Sequence, residues 1–129
     1  MKRLFVWCVT IGLAAVTVAV AGQMWKVSCA ACGYSDSFID SGIIVRGMIS
    51  GPCTNCRKIV TITWDWQKEK KPEPVATVWD AGSNRELKIF KCPHCAGHFV
   101  QILDVKTDLR YCPKCRKPGV RIERGPIVD

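Results

Sequence analysis

The chain has 129 residues, with 19 Lys or Arg against 11 Asp or Glu, and its formal net charge is +8. This length is enough for one ordinary domain or two very small ones. The sequence contains no phosphate-binding loop and no nucleophile elbow, and we expect a protein that is not an enzyme.

The chain opens with a segment typical of export. Leu4 to Ala21 form an uncharged run of 18 residues, which Lys2 and Arg3 precede. The small residues 19–22 resemble a signal-peptide cleavage site, but a helix of 18 residues would also reach about 27 Å, close to a bilayer core. Residues 1–22 are therefore predicted to be an apolar helix that serves either as a signal peptide or as a membrane anchor.

The basic residues predict the orientation of this segment. They precede the apolar run, and Lys26 is the only Lys or Arg among the twenty residues that follow it. The remainder of the chain is then expected to cross the membrane and to be periplasmic, extracytoplasmic or secreted, either free or tethered by residues 4–21. Cys8 lies inside the run and is read as a small apolar residue.

Two segments after this run, 25–66 and 87–126, form a loose internal repeat. In each, a short apolar strand leads into one cysteine pair and a second pair leads into another strand. Residues 57–66 alternate with period two, which predicts a half-buried strand. Further strands are predicted from "ELKIFK", "HFVQILDV" and "GVRIER", with inward positions at Leu87, Ile89, Val120 and Ile122.

The intervening residues 67–86 are predicted to be a linker. Lys68 to Pro74 carry charges and two prolines, which is typical of a solvated segment. The stretch "VATVW" is a candidate edge strand, and "DAGSN" is a turn signal. The exported part is thus expected to be mostly β.

Eight cysteines form four CxxC pairs, and the gaps inside the two repeats are 20 and 16 residues. This is the spacing of a four-cysteine zinc site, because two intervening residues let a turn aim both sulfurs at one ion. A segment of about 40 residues also seldom folds on an apolar core alone. We predict two ions, one held by the first four cysteines and one by the last four: Cys29, Cys32, Cys53, Cys56; Cys92, Cys95, Cys112, Cys115.

Each segment resembles a zinc ribbon, the broad family that includes rubredoxin-like knuckles. The family's knuckles often read C-P-x-C-G. Pro93 and Pro113 match the proline and Gly33 matches the glycine, but no pair has both. The resemblance implies a small, metal-stabilised, mostly β protein with two tandem zinc ribbons after the N-terminal apolar helix.

Other roles for the same residues stay open at this point. The cysteines would form disulfides in an oxidising compartment, although CxxC loops are short and constrain the chain little. His94 and His98 flank Cys95 and are alternative ligands, but a turn and a strand position explain them as well. The tryptophans are candidates for a binding surface or for a small β core, and they are Trp25, Trp64, Trp66 and Trp79.

Four functions fit this pattern. The first is a non-catalytic zinc-binding module with a structural or protein-interaction role. The second is a rubredoxin-like electron carrier, since four thiolates accept iron as well as zinc. The third is a nucleic-acid-binding ribbon, suggested by Arg57, Lys58, Arg116 and Lys117. The fourth is thiol-disulfide exchange, which lacks its usual βαβ context.

The net charge is weak evidence that the protein binds nucleic acid. Removal of Lys2 and Arg3 lowers it to +6, and two divalent ions, each held by four thiolates, lower it to about +2. Basic residues beside a thiolate cluster also screen its negative charge. We expect a protein partner, or a membrane where the N-terminal segment is retained, rather than nucleic acid.

Overall fold

The structure is a computed structural model that describes residues 22–40 and 46–128. These residues form eight strands and one short helix. The elements are β1 (Gly22–Ser28), β2 (Ser35–Ile39), β3 (Arg46–Cys53), β4 (Lys58–Asp65), β5 (Ala76–Asp80), β6 (Arg85–Lys91), β7 (His98–Val100), α1 (Val105–Asp108) and β8 (Arg121–Val128).

The strands form two antiparallel sheets, and each sheet combines elements from both halves of the chain. The three-stranded sheet has the order β2-β1-β8, and the five-stranded sheet has the order β4-β3-β7-β6-β5. The last strand therefore returns to the first, with Val27 opposite Ile122. In the other sheet, β3 meets β7 where Cys53 lies opposite Phe99.

Two clusters of buried apolar side chains stabilise the sheets. The main core lies on the five-stranded sheet and consists of Ile49, Cys53, Val60, Trp64, Phe90, Cys92 and Phe99. A second cluster, here the bridging cluster, joins the three-stranded sheet to β4 and to the segment around α1. Its members are Val27, Phe38, Ile59, Ile102, Val105 and Leu109. Because Ile59 and Val60 are adjacent in β4, this strand buries side chains on both faces and connects the two clusters.

One glycine fixes the contact between β3 and β7. A Cβ at Gly51 would lie 2.0 Å from the Val100 carbonyl oxygen and 2.5 Å from the Phe99 ring. Only glycine allows the two backbones to approach this closely. The close approach brings the strand that ends at Cys53 against the strand that follows the Cys92 knuckle.

The prediction of a mostly β chain is confirmed, and most predicted strands are present. β4 begins and ends within the predicted residues 57–66, and β5 is an edge strand as expected. "HFVQILDV" is only partly a strand: β7 has three residues, and α1 follows at Val105. The helix was missed because four residues are too few to show a helical period.

The predicted N-terminal apolar helix lies outside the described residues. Among the residues that are described, no helix is long and apolar enough to cross a membrane. The predicted linker 67–86 contains β5 and the start of β6, and its residues 67–75 and 81–84 are without regular structure.

Candidate metal centre

Each CxxC pair follows a strand or a β-bridge. Cys29 comes directly after β1, Cys53 is the last residue of β3, and Cys92 comes directly after β6. Cys112 follows Tyr111, which forms an isolated bridge with Pro118. In every pair the first cysteine is buried and the second is half-buried. The sheets thus carry one sulfur of each pair into the interior and leave the other near the surface.

The four turns share backbone hydrogen bonds. The amides of Cys29, Cys92 and Cys112 each donate to the carbonyl five residues later, at 2.9 Å, and Cys53 pairs in the β3–β4 ladder with Lys58, which is also five residues later. In three turns a second bond closes the knuckle, since the residue after the second cysteine donates to the carbonyl of the first. These donors are Gly33, Arg57 and Arg116, at 2.8 to 2.9 Å.

The same three residues adopt left-handed backbone conformations. The φ angle is 72° at Gly33, 56° at Arg57 and 61° at Arg116. Glycine accepts this region without steric cost, whereas arginine rarely adopts it. The absence of glycine from two of these three knuckles therefore changes the strain of the turn, but not its shape.

The eight sulfurs form two groups of four, as predicted, but the predicted grouping is wrong. Each group takes one pair from each half of the chain. The inner site contains Cys53, Cys56, Cys92 and Cys95, and the outer site contains Cys29, Cys32, Cys112 and Cys115. The physical reason is the sheet topology: the β1–β8 pairing joins the ends of the chain, and the β3–β7 contact joins its middle.

The distances between sulfurs fit a metal ion. In each site two pairs of sulfurs from different knuckles lie 3.6 to 3.7 Å apart. Four sulfurs in a tetrahedron at about 2.3 Å from one ion would be about 3.8 Å apart, whereas a disulfide requires about 2.05 Å. The eight cysteines of the described residues are free thiols, so the geometry favours metal over disulfides.

Backbone and side-chain donors surround the inner site. The amides of His94 and Gly97 donate to the sulfurs of Cys92 and Cys95, at 3.4 and 3.3 Å respectively. Donation from the Asn55 side chain, then the neighbouring Cys56 thiol and the Gly97 amide, lower the pKa of Cys95 to about 6. These donors stabilise a thiolate at Cys95, the form that binds a metal.

Other thiols show the opposite shift. The nearby Cys95 sulfur, followed by burial, raises the pKa of Cys56 to about 12, and burial raises that of Cys53. Four thiolates at this distance repel one another, and without a cation some of them therefore retain protons. A divalent ion would remove this repulsion.

The outer site follows the same pattern. Burial opposes ionisation of Cys112, but amides from Cys115 and Lys114 outweigh it and lower the pKa to about 7. At Cys32 the Tyr34 amide favours the thiolate, but burial and the neighbouring thiols, Cys112 first among them, outweigh it and raise the pKa to about 11. Each site thus has a ready thiolate beside a thiol that needs a positive ion to lose its proton.

The remaining candidate residues lie elsewhere. Among the described residues, the groups with metal-ligand geometry contain only cysteine, so neither His94 nor His98 joins them, and both are exposed. Trp64 belongs to the main core, whereas Trp66 and Trp79 are 44% and 63% exposed. Cys8 lies outside the described residues.

Trp25 has a more specific environment than the sequence indicates. Its indole Nε1 donates to a carboxylate oxygen of Asp40 at 2.8 Å, and the guanidinium of Arg124 lies 5.4 Å from the ring centre. A cation over an indole face is stabilising. Trp25 therefore ties the end of β2 to β8 in the sheet that carries the outer site.

No protein-family model matches the chain, and no curated protein or solved structure gives a match either.

Proposed function

We propose that this protein is a non-catalytic zinc-binding module with a structural and protein-interaction role, exported or tethered to a membrane by its N-terminal segment. The observation that carries the proposal is the arrangement of eight sulfurs in two groups of four, with separations of 3.6 to 3.7 Å between knuckles. In each group the sulfurs all lie within 4.8 Å of one another.

The donor set supports a structural role. Four thiolates complete a tetrahedron and leave no position for a substrate or an activated water, in contrast to catalytic zinc sites with three protein ligands. The buried first cysteines of the inner site, Cys53 and Cys92, are also part of the main core. Metal at the inner site would therefore stabilise the five-stranded sheet directly.

Zinc is favoured over iron because the knuckles depart from the C-P-x-C-G pattern of rubredoxin-like proteins. Thiolate tetrahedra also bind iron, and an electron carrier is the second candidate. The exposed basic residues Arg57, Lys58, Arg116 and Lys117 adjoin the knuckles, where they partly balance the charge of about −2 that a divalent ion with four thiolates carries.

The decisive experiment is metal analysis of the full chain purified from its native compartment. Two zinc ions per chain, no visible absorption and eight thiols that react only after chelation would support the proposal. Iron with visible absorption would replace it by electron transfer, and an absence of metal together with an absence of free thiols outside Cys8 would exclude it. A Cys8→Ser variant is the matched control, because it removes one thiol and should leave the metal content unchanged.

The mass of the purified chain tests the export part separately. Cleavage after Ala21 would leave 108 residues that begin at Gly22, whereas a retained anchor would keep the full mass and remain with the membrane fraction. The full-length chain in the soluble cytoplasmic fraction would contradict both forms of the proposal.

A further inference from the structure

One edge of the five-stranded sheet is open and apolar. Within the ranges 22–40 and 46–128, β5 pairs with β6 alone, and its first four residues, 76–79, are exposed. The side chains of Val78 and Trp79 are 49% and 63% exposed, and the preceding Val75 is 58% exposed. The one charge of β5 is Asp80 at its end, and that carboxylate accepts hydrogen bonds from Gly82 and Ser83. The stretch 76–79 contains neither charge nor proline, so most of this edge lacks the features that usually prevent strand pairing.

The other sheet edges in the described residues are protected. β8 carries Arg121, Glu123, Arg124 and Pro126. β2 contains Asp36, its Phe38 packs into the bridging cluster, and the Ser50 hydroxyl donates to the carbonyl of its last residue, Ile39. β4 begins with Lys58, and its Ile59 packs into the bridging cluster. Charge, proline and covering structure are the usual devices against edge pairing, which leaves β5 as the edge that is available to another strand.

The β5 sequence is self-complementary in an antiparallel register centred on Val78. A two-fold axis perpendicular to the sheet requires paired residues to lie on the same face, so their numbers must have the same parity. With Val78 opposite the second copy's Val78, Thr77 lies opposite Trp79 and Ala76 lies opposite Asp80. No charge then faces a like charge, and Val78 extends an apolar row that already includes Leu87 within each copy.

The opposite face gains an aromatic contact. Trp79 and the second copy's Trp79 become diagonal neighbours across the new strand pair, about 7 to 8 Å apart, which is within reach of aromatic side chains. The small Thr77 lies directly opposite each indole and leaves room for it. A side chain that is 63% exposed in the single chain would thereby be partly covered.

We propose that a second copy of this chain pairs with β5 edge to edge, which joins two five-stranded sheets into one continuous sheet of ten strands. This inference rests on the proposed interaction role and names the partner. An edge of five residues is small compared with the roughly 800 Å² per partner of a stable interface, so the dimer is weak and depends on protein concentration.

Sedimentation velocity on the metal-loaded full chain, in a mild detergent that shields residues 4–21, tests the proposal over a range of concentrations. Val78→Lys places two positive charges opposite each other at the two-fold axis and should abolish the concentration-dependent dimer. Ile127→Lys is the matched control, because Ile127 is 69% exposed but lies on β8 of the other sheet, and it should dimerise like the parent chain.

Cross-linking tests the register. In a Cys8→Ser background with both sites loaded with zinc, Val78→Cys should be joined to itself by a short bismaleimide, and Ile127→Cys should not. A parent chain that stays monomeric at every concentration would overturn the proposal, and so would equal cross-linking at both positions. The β5 edge would then be a binding site for an extended peptide of another protein. The zinc content of each variant is measured in parallel, so loss of dimer with two ions retained is distinguishable from loss of the metal sites.

Discussion

In the inner site, sulfurs 3.6 Å apart belong to cysteines 36 and 42 residues apart in sequence. In the outer site, sulfurs 3.6 and 3.7 Å apart belong to cysteines 80 and 86 residues apart. The longer loops of the outer site cost little additional chain entropy, because doubling the length of a loop costs only about 0.6 kcal/mol. Packing distinguishes the sites more strongly. The inner cysteines Cys53 and Cys92 are members of the main core, and the outer cysteines belong to neither cluster.

The outer site is therefore expected to depend on the folding of the five-stranded sheet, whereas the inner site is expected to depend little on the outer one. The three-stranded sheet packs through Val27 and Phe38 against Ile59 of β4 and against the segment around α1. If the five-stranded sheet unfolds, the outer site loses the surface on which its strands pack. If the outer site opens, the main core keeps its contacts.

The largest expected effect comes from removing one ligand from each site. Cys53→Ser removes a fully buried inner ligand, and Cys112→Ser removes an outer ligand of matching burial, at 0% and 1% exposure. Structural zinc contributes about 10 to 16 kcal/mol in small domains, more than most domains have in reserve. We expect Cys53→Ser to lose both ions and Cys112→Ser to lose one.

Native mass spectrometry counts the ions in each variant, and hydrogen exchange at Phe90 and Phe99 reports whether the main core persists. Equal metal losses from the two variants would contradict the unequal dependence. A Cys53→Ser chain that keeps the outer ion and its exchange protection would contradict it most clearly.

A smaller effect is expected from glycine substitutions in the two sheets. Gly51→Ala forces apart two backbones beside the inner site and should lower the free energy of unfolding by about 3 kcal/mol. At Gly125, on β8, a Cβ would lie 3.3 Å from Met24, a contact that small shifts can relieve, and the loss should be about 1 kcal/mol or less. Denaturant unfolding at a fixed zinc concentration measures both.

Gly82→Ala is the control for this series. Its Cβ would meet only Asp80, at an ordinary contact distance of 3.4 Å, and exposed substitutions of this kind change stability by about 0.5 kcal/mol or less. If Gly125→Ala lowered the free energy of unfolding as much as Gly51→Ala, the two sheets would not differ in how tightly their glycines are packed.

The smallest effect concerns the strained knuckles. Arg57 in the inner site and Arg116 in the outer site both have positive φ, and a residue other than glycine in this region costs about 1 kcal/mol or more. Substitution of either by glycine should raise stability, by up to about 1 kcal/mol, because relief of strain is partly offset by the greater freedom of the unfolded chain. Unfolding at fixed zinc concentration also measures this change.

Lys117→Gly is the matched control, since it removes the same charge beside the outer site at a residue without positive φ. It should lower stability or leave it unchanged. Stabilisation by Lys117→Gly equal to that by Arg116→Gly would show that charge, rather than backbone strain, is responsible.

The sequence predicted the eight cysteines that form the two groups of four and the local structure around them, but not which knuckles meet. A CxxC spacing determines a turn within a few residues, so the knuckles and the strands that lead into Cys29 and Cys92 were predictable, whereas β3, which leads into Cys53, was not predicted. The choice of partner depends on β1 pairing with β8 across about a hundred residues, and neither alternation nor spacing encodes such a contact. The similar exits "CTNCRK" and "CPKCRK" indicated a tandem repeat, although these two knuckles belong to different sites.

The knuckle conformation at Arg57 and Arg116 also had no signal in the sequence, because glycine is the residue that normally marks a left-handed position. The buried faces of β4 were only half predicted. The alternation placed Val60, Ile62, Trp64 and Trp66 on one face, of which Val60 and Trp64 are buried and Trp66 is 44% exposed. Ile59 is buried too, because the three-stranded sheet covers the other face.

Cleavage of the metal-loaded chain within the exposed residues 68–71 tests the interleaved arrangement most directly. A recognition sequence for a specific protease, inserted after Lys71, would divide the chain between the second and third cysteine pairs. Because each site takes ligands from both fragments, the fragments should remain together with two ions and separate only after chelation, as measured by native mass spectrometry. Two separate fragments that each retain one ion would contradict this account.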